Sequence, residues 1–301
     1  MAPERIQLEP GRQRWRHGPI DLIVQAEGDA EVMEAAHARA WIEFEGMLGS
    51  LVQELALLRQ PVARGAVNPC LGAVARLMWQ ACEPLANSDE EGFITPMAAV
   101  AGSVAQHLLR HYDLPGVTRA AINNGGDIAL HLSQGQAWQL GVVSDADAVW
   151  HEAQAGAAIH PDAHFLLTPE LPVRGVATSG WSGRSLSRGI ADSVTVLAAT
   201  AARADAAATL IANHVDLAHP GIVRLPADQV RDHSDLGSRL VTCHVPRLSL
   251  GEITTALERG LAYAQGLVDQ GFIHAALIAC QRRFVSCGHE VCLSISSEAT
   301  P

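Results

Sequence analysis

Asp205 and Thr209 stand four residues apart in Ala204-Asp205-Ala206-Ala207-Ala208-Thr209, inside an alanine-rich stretch that reads as a helix from Ala201 to Val215. On a helix this spacing puts both side chains on one face, about a turn apart. A carboxylate beside a hydroxyl suits a hard cation such as Mg²⁺, which takes a few protein oxygens and keeps water for the rest. The pair equally fits an ordinary helix start, with Asp205 favoured by the macrodipole and Thr209 bonded back to a carbonyl. A second segment, Asn123-Asn124-Gly125-Gly126-Asp127, reads as a turn between two strands. Paired glycines serve a plain hairpin, and they also let backbone approach a ligand closely. A third segment, Gly175-Val176-Ala177-Thr178-Ser179-Gly180, reads as a strand running into Trp181-Ser182-Gly183-Arg184-Ser185. Hydroxyls and backbone N–H groups in such a loop can cradle phosphate oxygens, with Arg184 and Arg188 as bidentate arms. An ordinary surface loop with solvated arginines fits the same residues.

These segments need a scaffold. Ile20 to Ala26 reads as a strand. Ala30 to Arg59 carries apolar residues at largely helical spacing, with Gly46 and Gly49 as points where it would split in two. Helices are expected over Pro69 to Ala81 and, built of small residues, after Phe93-Ile94-Thr95-Pro96-Met97 through roughly Arg110. Thr118 to Asn123, Ile128 to Leu132 and Ala137 to Val143 form a meander of strands, and Ser144 to Ala163 shows no period. Val173 to Ala177, Ser193 to Ala198 and Phe272 to Ala279 read as strands, and Leu248 to Gln270 as a long amphipathic helix. Hairpins outnumber β-α-β units, so the class is α+β, with antiparallel sheets packed with helices. No linker rich in Pro, Gly or Ser divides the chain, so a single domain over 1–301 is expected, with a core over 15–280 and a C-terminal extension over 281–301.

The chain has 301 residues, 48% of them apolar, and a net charge of −11. That length and composition suffice for a buried core without staples. Acidity and few aromatics argue against a nucleic-acid partner. No apolar run approaches the ~20 residues of a membrane span, and Met1 to Arg16 lacks the apolar core of a secretory signal. The expectation is a cytoplasmic protein with reduced cysteines. Cys287-Gly288-His289-Glu290-Val291-Cys292 has metal-ligand residue types, but it fits no common zinc spacing and lacks a second half-site. The sequence assigns no role to Cys280, Cys287 or Cys292.

The order Asn-x-Gly-Gly-Asp, Ala-Thr-Ser-Gly, then a strand leading into Ala-Asp-Ala-x-Ala-Thr-x-x-Ala resembles the ApbE flavin-transferase superfamily. Phe93 to Ala105, the run Asn123 to Ala129, Gly175 to Trp181 and Gly189 to Ala198 are similar to a short, largely uncharacterised branch of it. The resemblance spans roughly residues 15 to 280 and implies an ApbE-like fold. It implies a pocket for FAD handled with Mg²⁺, and transfer of FMN to a threonine of a target protein. Asp205 and Thr209 then fall on the metal-binding positions. Asn123, Asn124, Gly125, Gly126, Thr178, Ser179 and Gly180 fall on the nucleotide pocket, with Arg184 beside them. The family ties a histidine to catalysis in a His-x-Ile-Asp-Pro segment, and Trp181 to Asp192 holds no histidine.

Three readings follow. The first is an enzyme acting on FAD or another pyrophosphate-bearing cofactor, with Asp192 or Asp127 as base. The second is a cofactor-binding protein without chemistry. The third is an enzyme of pterin or one-carbon cofactor biosynthesis on the same fold. In each the partner is a small phosphate-bearing molecule, and a homodimer is one assembly open to the chain. His214, just after Thr209, either approaches this pocket or simply faces the negative end of its helix.

Overall fold

The computed structural model describes residues 2–86, 93–143, 161–183, 185–289 and 292–295. Arg184, the expected turn at 87–92 and most of the aperiodic segment after Ser144 lie outside them. The described residues fall into two compact units.

The first unit comprises Met1–Ala137, Thr168–Ala177 and Leu197–Ala206. Its strands β1 (Glu4–Glu9), β2 (Arg12–His17), β3 (Ile20–Gly28), β4 (Val117–Asn124) and β5 (Asp127–Leu132) form an antiparallel meander. The start of β8 (Gly175–Ser179) pairs with β5 through Ile128 and Ala129. No element is expected from the sequence over the segment Arg12 to His17. It is a strand because its residues alternate: Gln13 and Trp15 are buried on one face while Arg12 and Arg16 are exposed on the other. Trp15 is fully buried, donates its indole N–H to Gln13 Oε1 at 2.9 Å, and meets Trp41 edge-on at 5.4 Å.

Across that face lies α1 (Ala30–Gln53), burying Phe44, Met47 and Leu51. It runs unbroken through Gly46 and Gly49. Both glycines are exposed, and the ~1 kcal/mol each costs in a helix is offset by the buried residues beside them. Asp29 caps the helix, its Oδ1 accepting from the N–H groups of Glu31 at 3.0 Å and Val32 at 3.2 Å. Asp29→Ala is expected to lower stability by about 1 kcal/mol, read from the denaturation midpoint, while Asp29→Asn should keep most of it. A short helix α2 (Leu55–Leu58) follows, then α3 (Ala73–Cys82) and α4 (Val100–Leu109), the last entered through a 3₁₀ turn at Pro96–Ala99. Glu43 of α1 ties the end of α4 down, accepting from His107 Nε2 at 2.7 Å, from His111 and from Arg110. Partial burial alone would raise the Glu43 carboxyl, but those three hydrogen bonds bring it down to about 2.

The second unit comprises Trp138–Leu167, Thr178–Val196 and Ala207–Pro301. Here β6 (Trp138–Val142) departs from the expected meander. It pairs with β7 (Ala163–Leu167), which pairs in turn with β14 (Cys292–Ile295). A turn of Ser133 to Gln136 is compatible with either pairing, and only distant residues choose between them. Strands β9 (Ser193–Ala198), β12 (Ala275–Cys280) and β13 (Arg283–Gly288) lie side by side. Both β9 and β12 are buried along their whole length, as strands covered on both faces are. β10 (Val223–Pro226) and β11 (Leu240–His244) form a separate ribbon.

Three more helices complete the described fold. α5 (Ala201–His214) begins in the first unit and ends in the second, and α6 (Ala227–Val230) is one turn. α7 (Leu250–Asp269) opens with a Ser249–Glu252 capping box and buries Ile253, Leu257, Ala264 and Leu267. The architecture is therefore α+β, with antiparallel sheets packed with helices. Among the described residues no helix is long and apolar enough to cross a membrane.

Candidate functional site

The glycine turn is built as its residues require. Asn124 pairs with Asp127 across β4 and β5, leaving Gly125 and Gly126 as a two-residue loop with φ of 70° and 111°. Positive φ at both positions is the hairpin geometry that glycine adopts without cost. Asn123 Oδ1 accepts the Gly126 N–H at 2.8 Å and closes the turn. Asn124 points to the buried side and donates Nδ2 to the carbonyl of Ala101 at 3.2 Å. Asp127 is likewise buried, at the first position of β5.

Ala101 connects this turn to Asp205. The residue before α4, Ala99, has no side-chain oxygen to cap the helix. Its first free N–H groups are met instead by a residue distant in sequence. Gly102 N donates to Asp205 Oδ2 at 2.8 Å, and the Ala101 N–H also bonds this carboxylate. The exchange is reciprocal, because Gln106 Oε1 of α4 accepts the Ala202 N–H at the start of α5 at 3.1 Å. Each helix thus satisfies donors that the other leaves open. Gly102 makes the approach feasible: a Cβ there would lie 2.3 Å from the Ala201 carbonyl oxygen and 2.9 Å from Asp205 Cβ. The small residues from Ala98 to Ala105 are the sequence signal for this contact, and at Gly102 they serve tight helix packing.

Burial pushes the Asp205 carboxyl up to about 7, against the two backbone hydrogen bonds that favour its ionised form. The side chain keeps partial solvent access, so it is crowded without being sealed off. Thr209 is on the same uninterrupted helix, four residues on, and also partly accessible. A carboxylate and a hydroxyl are suitable donors for a hard divalent cation, which would draw its remaining ligands from water or phosphate oxygens. Among the described residues no group of three or more His, Cys, Asp or Glu side chains could hold a metal.

The hydroxyl-rich loop and Asp192 belong to the second unit. Thr178 and Thr195 share a hydrogen bond of 2.9 Å between their hydroxyls. Ser179 is partly exposed. Gly180 is buried where a Cβ would meet the Asp192 carbonyl oxygen at 2.1 Å. The Asp192 carboxylate accepts from Trp181 Nε1 at 3.2 Å through one oxygen and from the Gln281 N–H through the other. Gln281 and Arg282 form the β12–β13 turn with φ of 44° and 63°, a region costly for side chains other than glycine. Asp192 thus anchors a strained turn, a role for which the sequence has no local signal. His214 is explained by its own helix. Its Nδ1 lies 2.8 Å from the Leu210 carbonyl oxygen, and its ring stacks on Tyr263 at 3.7 Å.

A cleft of about 540 Å³ opens elsewhere in the first unit, lined by residues that include Arg5, Gln13, Glu34 and His37. None of the motif residues lines it.

The chain is 38% identical over 130 residues to a UPF0280 protein of Methanothermobacter thermautotrophicus, covering 43% of this chain and 46% of that one. It is 40% identical over 133 residues to a UPF0280 protein of Methanococcus vannielii, covering 43% and 49%. The matched region spans about half the length of these curated relatives. Among solved structures, the apo flavinyl transferase ApbE of Pseudomonas stutzeri aligns with a TM-score of 0.48 and 15% identity, over 94% of this chain and 95% of that one. A mutant flavin transferase ApbE of Vibrio cholerae aligns with a TM-score of 0.43 and 13% identity, over 95% and 97%. A family model described as AbpE bacteria matches residues 5–290, and the chain belongs to that family, within the ApbE-like superfamily that its glycine turn, Thr-Ser-Gly loop and α5 motif resemble.

Proposed function

We propose that this protein binds FAD, or another cofactor joined by a pyrophosphate, together with Mg²⁺, and cleaves or transfers at that pyrophosphate. The observation that carries this reading is the Asp205 carboxylate. It is crowded and partly accessible, held by the Ala101 and Gly102 N–H groups, and placed one helical turn from Thr209. Asp205 and Thr209 hold the cation, which when bound offsets negative charge on the phosphoryl oxygens. Asn123, Asn124, Gly125 and Gly126 keep the nucleotide-pocket positions that the resemblance implies. Thr178, Ser179 and Gly180 keep the pocket-lining roles that the resemblance implies.

An acceptor hydroxyl or water attacks the FMN phosphorus, the pyrophosphate P–O bond breaks, and AMP leaves. The proton passes from the attacking oxygen to a carboxylate. We assign this role to Asp127 or Asp192; the two oxygens of Asp192 also hold Trp181 and the β12–β13 turn. That engagement, with the absence of a histidine between Trp181 and Asp192, also supports a second reading in which the pocket binds the cofactor without chemistry.

The test is Mg²⁺-dependent AMP release from FAD, followed chromatographically. Asp205→Ala should abolish it. Thr209→Val, which leaves the cap on α4 in place, should reduce it at least tenfold. Tight FAD binding with no AMP from water or any threonine-bearing acceptor would favour the binder. No flavin binding at all would sink both readings.

A further inference from the structure

We propose that His274 and His289, in the second unit, form the two-imidazole core of a transition-metal site separate from the Asp205 region. The two residues sit opposite each other one step beyond the end of the β12–β13 ladder. Ala275 pairs with Gly288, and the His289 N–H donates to the His274 carbonyl at 3.0 Å. Opposed residues on neighbouring strands project side by side from one face. Their ring centroids are 5.2 Å apart with the planes 41° from parallel. Two imidazoles bound to one tetrahedral ion, at about 2.05 Å per Zn–N bond and about 109° between bonds, have centroids about 5.2 Å apart.

Two further observations point to a ligand. His274 Nε2 is buried and has no hydrogen-bond partner among the described residues. A buried polar atom without a partner is costly, and bonding to a metal would satisfy it. Gly288 has φ of 114°, and a Cβ there would lie 2.3 Å from the His274 carbonyl oxygen. The strands therefore pinch together at the histidine pair, where only glycine fits. Imidazole donors select a borderline ion such as Zn²⁺, with water or an exogenous ligand in the remaining positions.

Co²⁺ titration of the full chain, followed by visible absorption and by competition with Zn²⁺, tests this. One ion per chain is expected at the histidine pair. His274→Ala and His289→Ala should each weaken its binding at least tenfold, and His244→Ala, at an exposed histidine on β11, should leave it unchanged. His289 is exposed, so its replacement leaves the fold intact, as circular dichroism will check. No stoichiometric binding, or binding undiminished in both histidine variants, overturns the proposal.

Discussion

Alanine at Gly102 is expected to destabilise the protein by roughly 3–5 kcal/mol and to lower its melting temperature by about 10 °C. The added Cβ would sit 2.3 Å from the Ala201 carbonyl oxygen and 2.7 Å from its carbon. Both atoms are backbone at the start of α5, so no rotamer change relieves the contact. The two helix starts must separate, and the Gly102 N–H would leave Asp205. Overpacking of this kind costs about 1–3 kcal/mol, and a hydrogen bond to a charged group is worth about 1.5–3. Gly175→Ala is the control. Its Cβ would meet Ala201 N and Thr200 C at 2.1 Å, so it strains the same helix start without removing a donor from Asp205. Both variants should melt early in calorimetry. Only Gly102→Ala should also alter the pH response of Asp205. A melting temperature for Gly102→Ala within a degree or two of the parent would refute the close approach.

That pH response is the second large effect. In the folded chain Asp205 holds its proton up to about 7, whereas its unfolded reference is 3.8. Between these values the folded state binds more protons, so stability falls as pH rises. The stabilisation is complete below about 3.8 and is lost as pH passes through about 7. Each unit is worth at most about 1.4 kcal/mol, and because Asp205 keeps partial solvent access we expect a total of about 2 kcal/mol. His37 acts in the opposite sense over part of this range. Burial, with a smaller contribution from the Arg5 charge, pulls it down to about 4, so it adds stability as pH rises from about 4 to 6.5. The measurement is therefore the difference in unfolding free energy between the parent and Asp205→Asn, from pH 4 to pH 8. The difference should change steadily in favour of the asparagine variant as pH rises. A flat difference would show that Asp205 is not desolvated. Under the proposed function, millimolar Mg²⁺ should raise the melting temperature more at pH 8 than at pH 5, because only the deprotonated carboxylate ligates.

The local elements were legible because their signals are local. Gly125-Gly126 between two strands predicts a hairpin with two positive φ values, and the structure has it. The amphipathic α7, the small-residue α4 and the alanine-rich α5 follow from composition and spacing, as does the ordered set of motifs that marks the family. The alternation in Arg12 to His17 was equally present in the sequence, though charged residues obscured it. Tertiary structure alone decided the rest. β6 chose β7 over its neighbour in the chain, and Asp192 took hold of the turn at Gln281, 89 residues away. Asp205 capped α4 through Gly102, 103 residues away. Each of these contacts satisfies a backbone donor that local sequence left open, and no local propensity encodes which distant carboxylate will reach it. The sequence thus determined the local elements and the ordered motifs, and long-range packing determined what each motif residue touches.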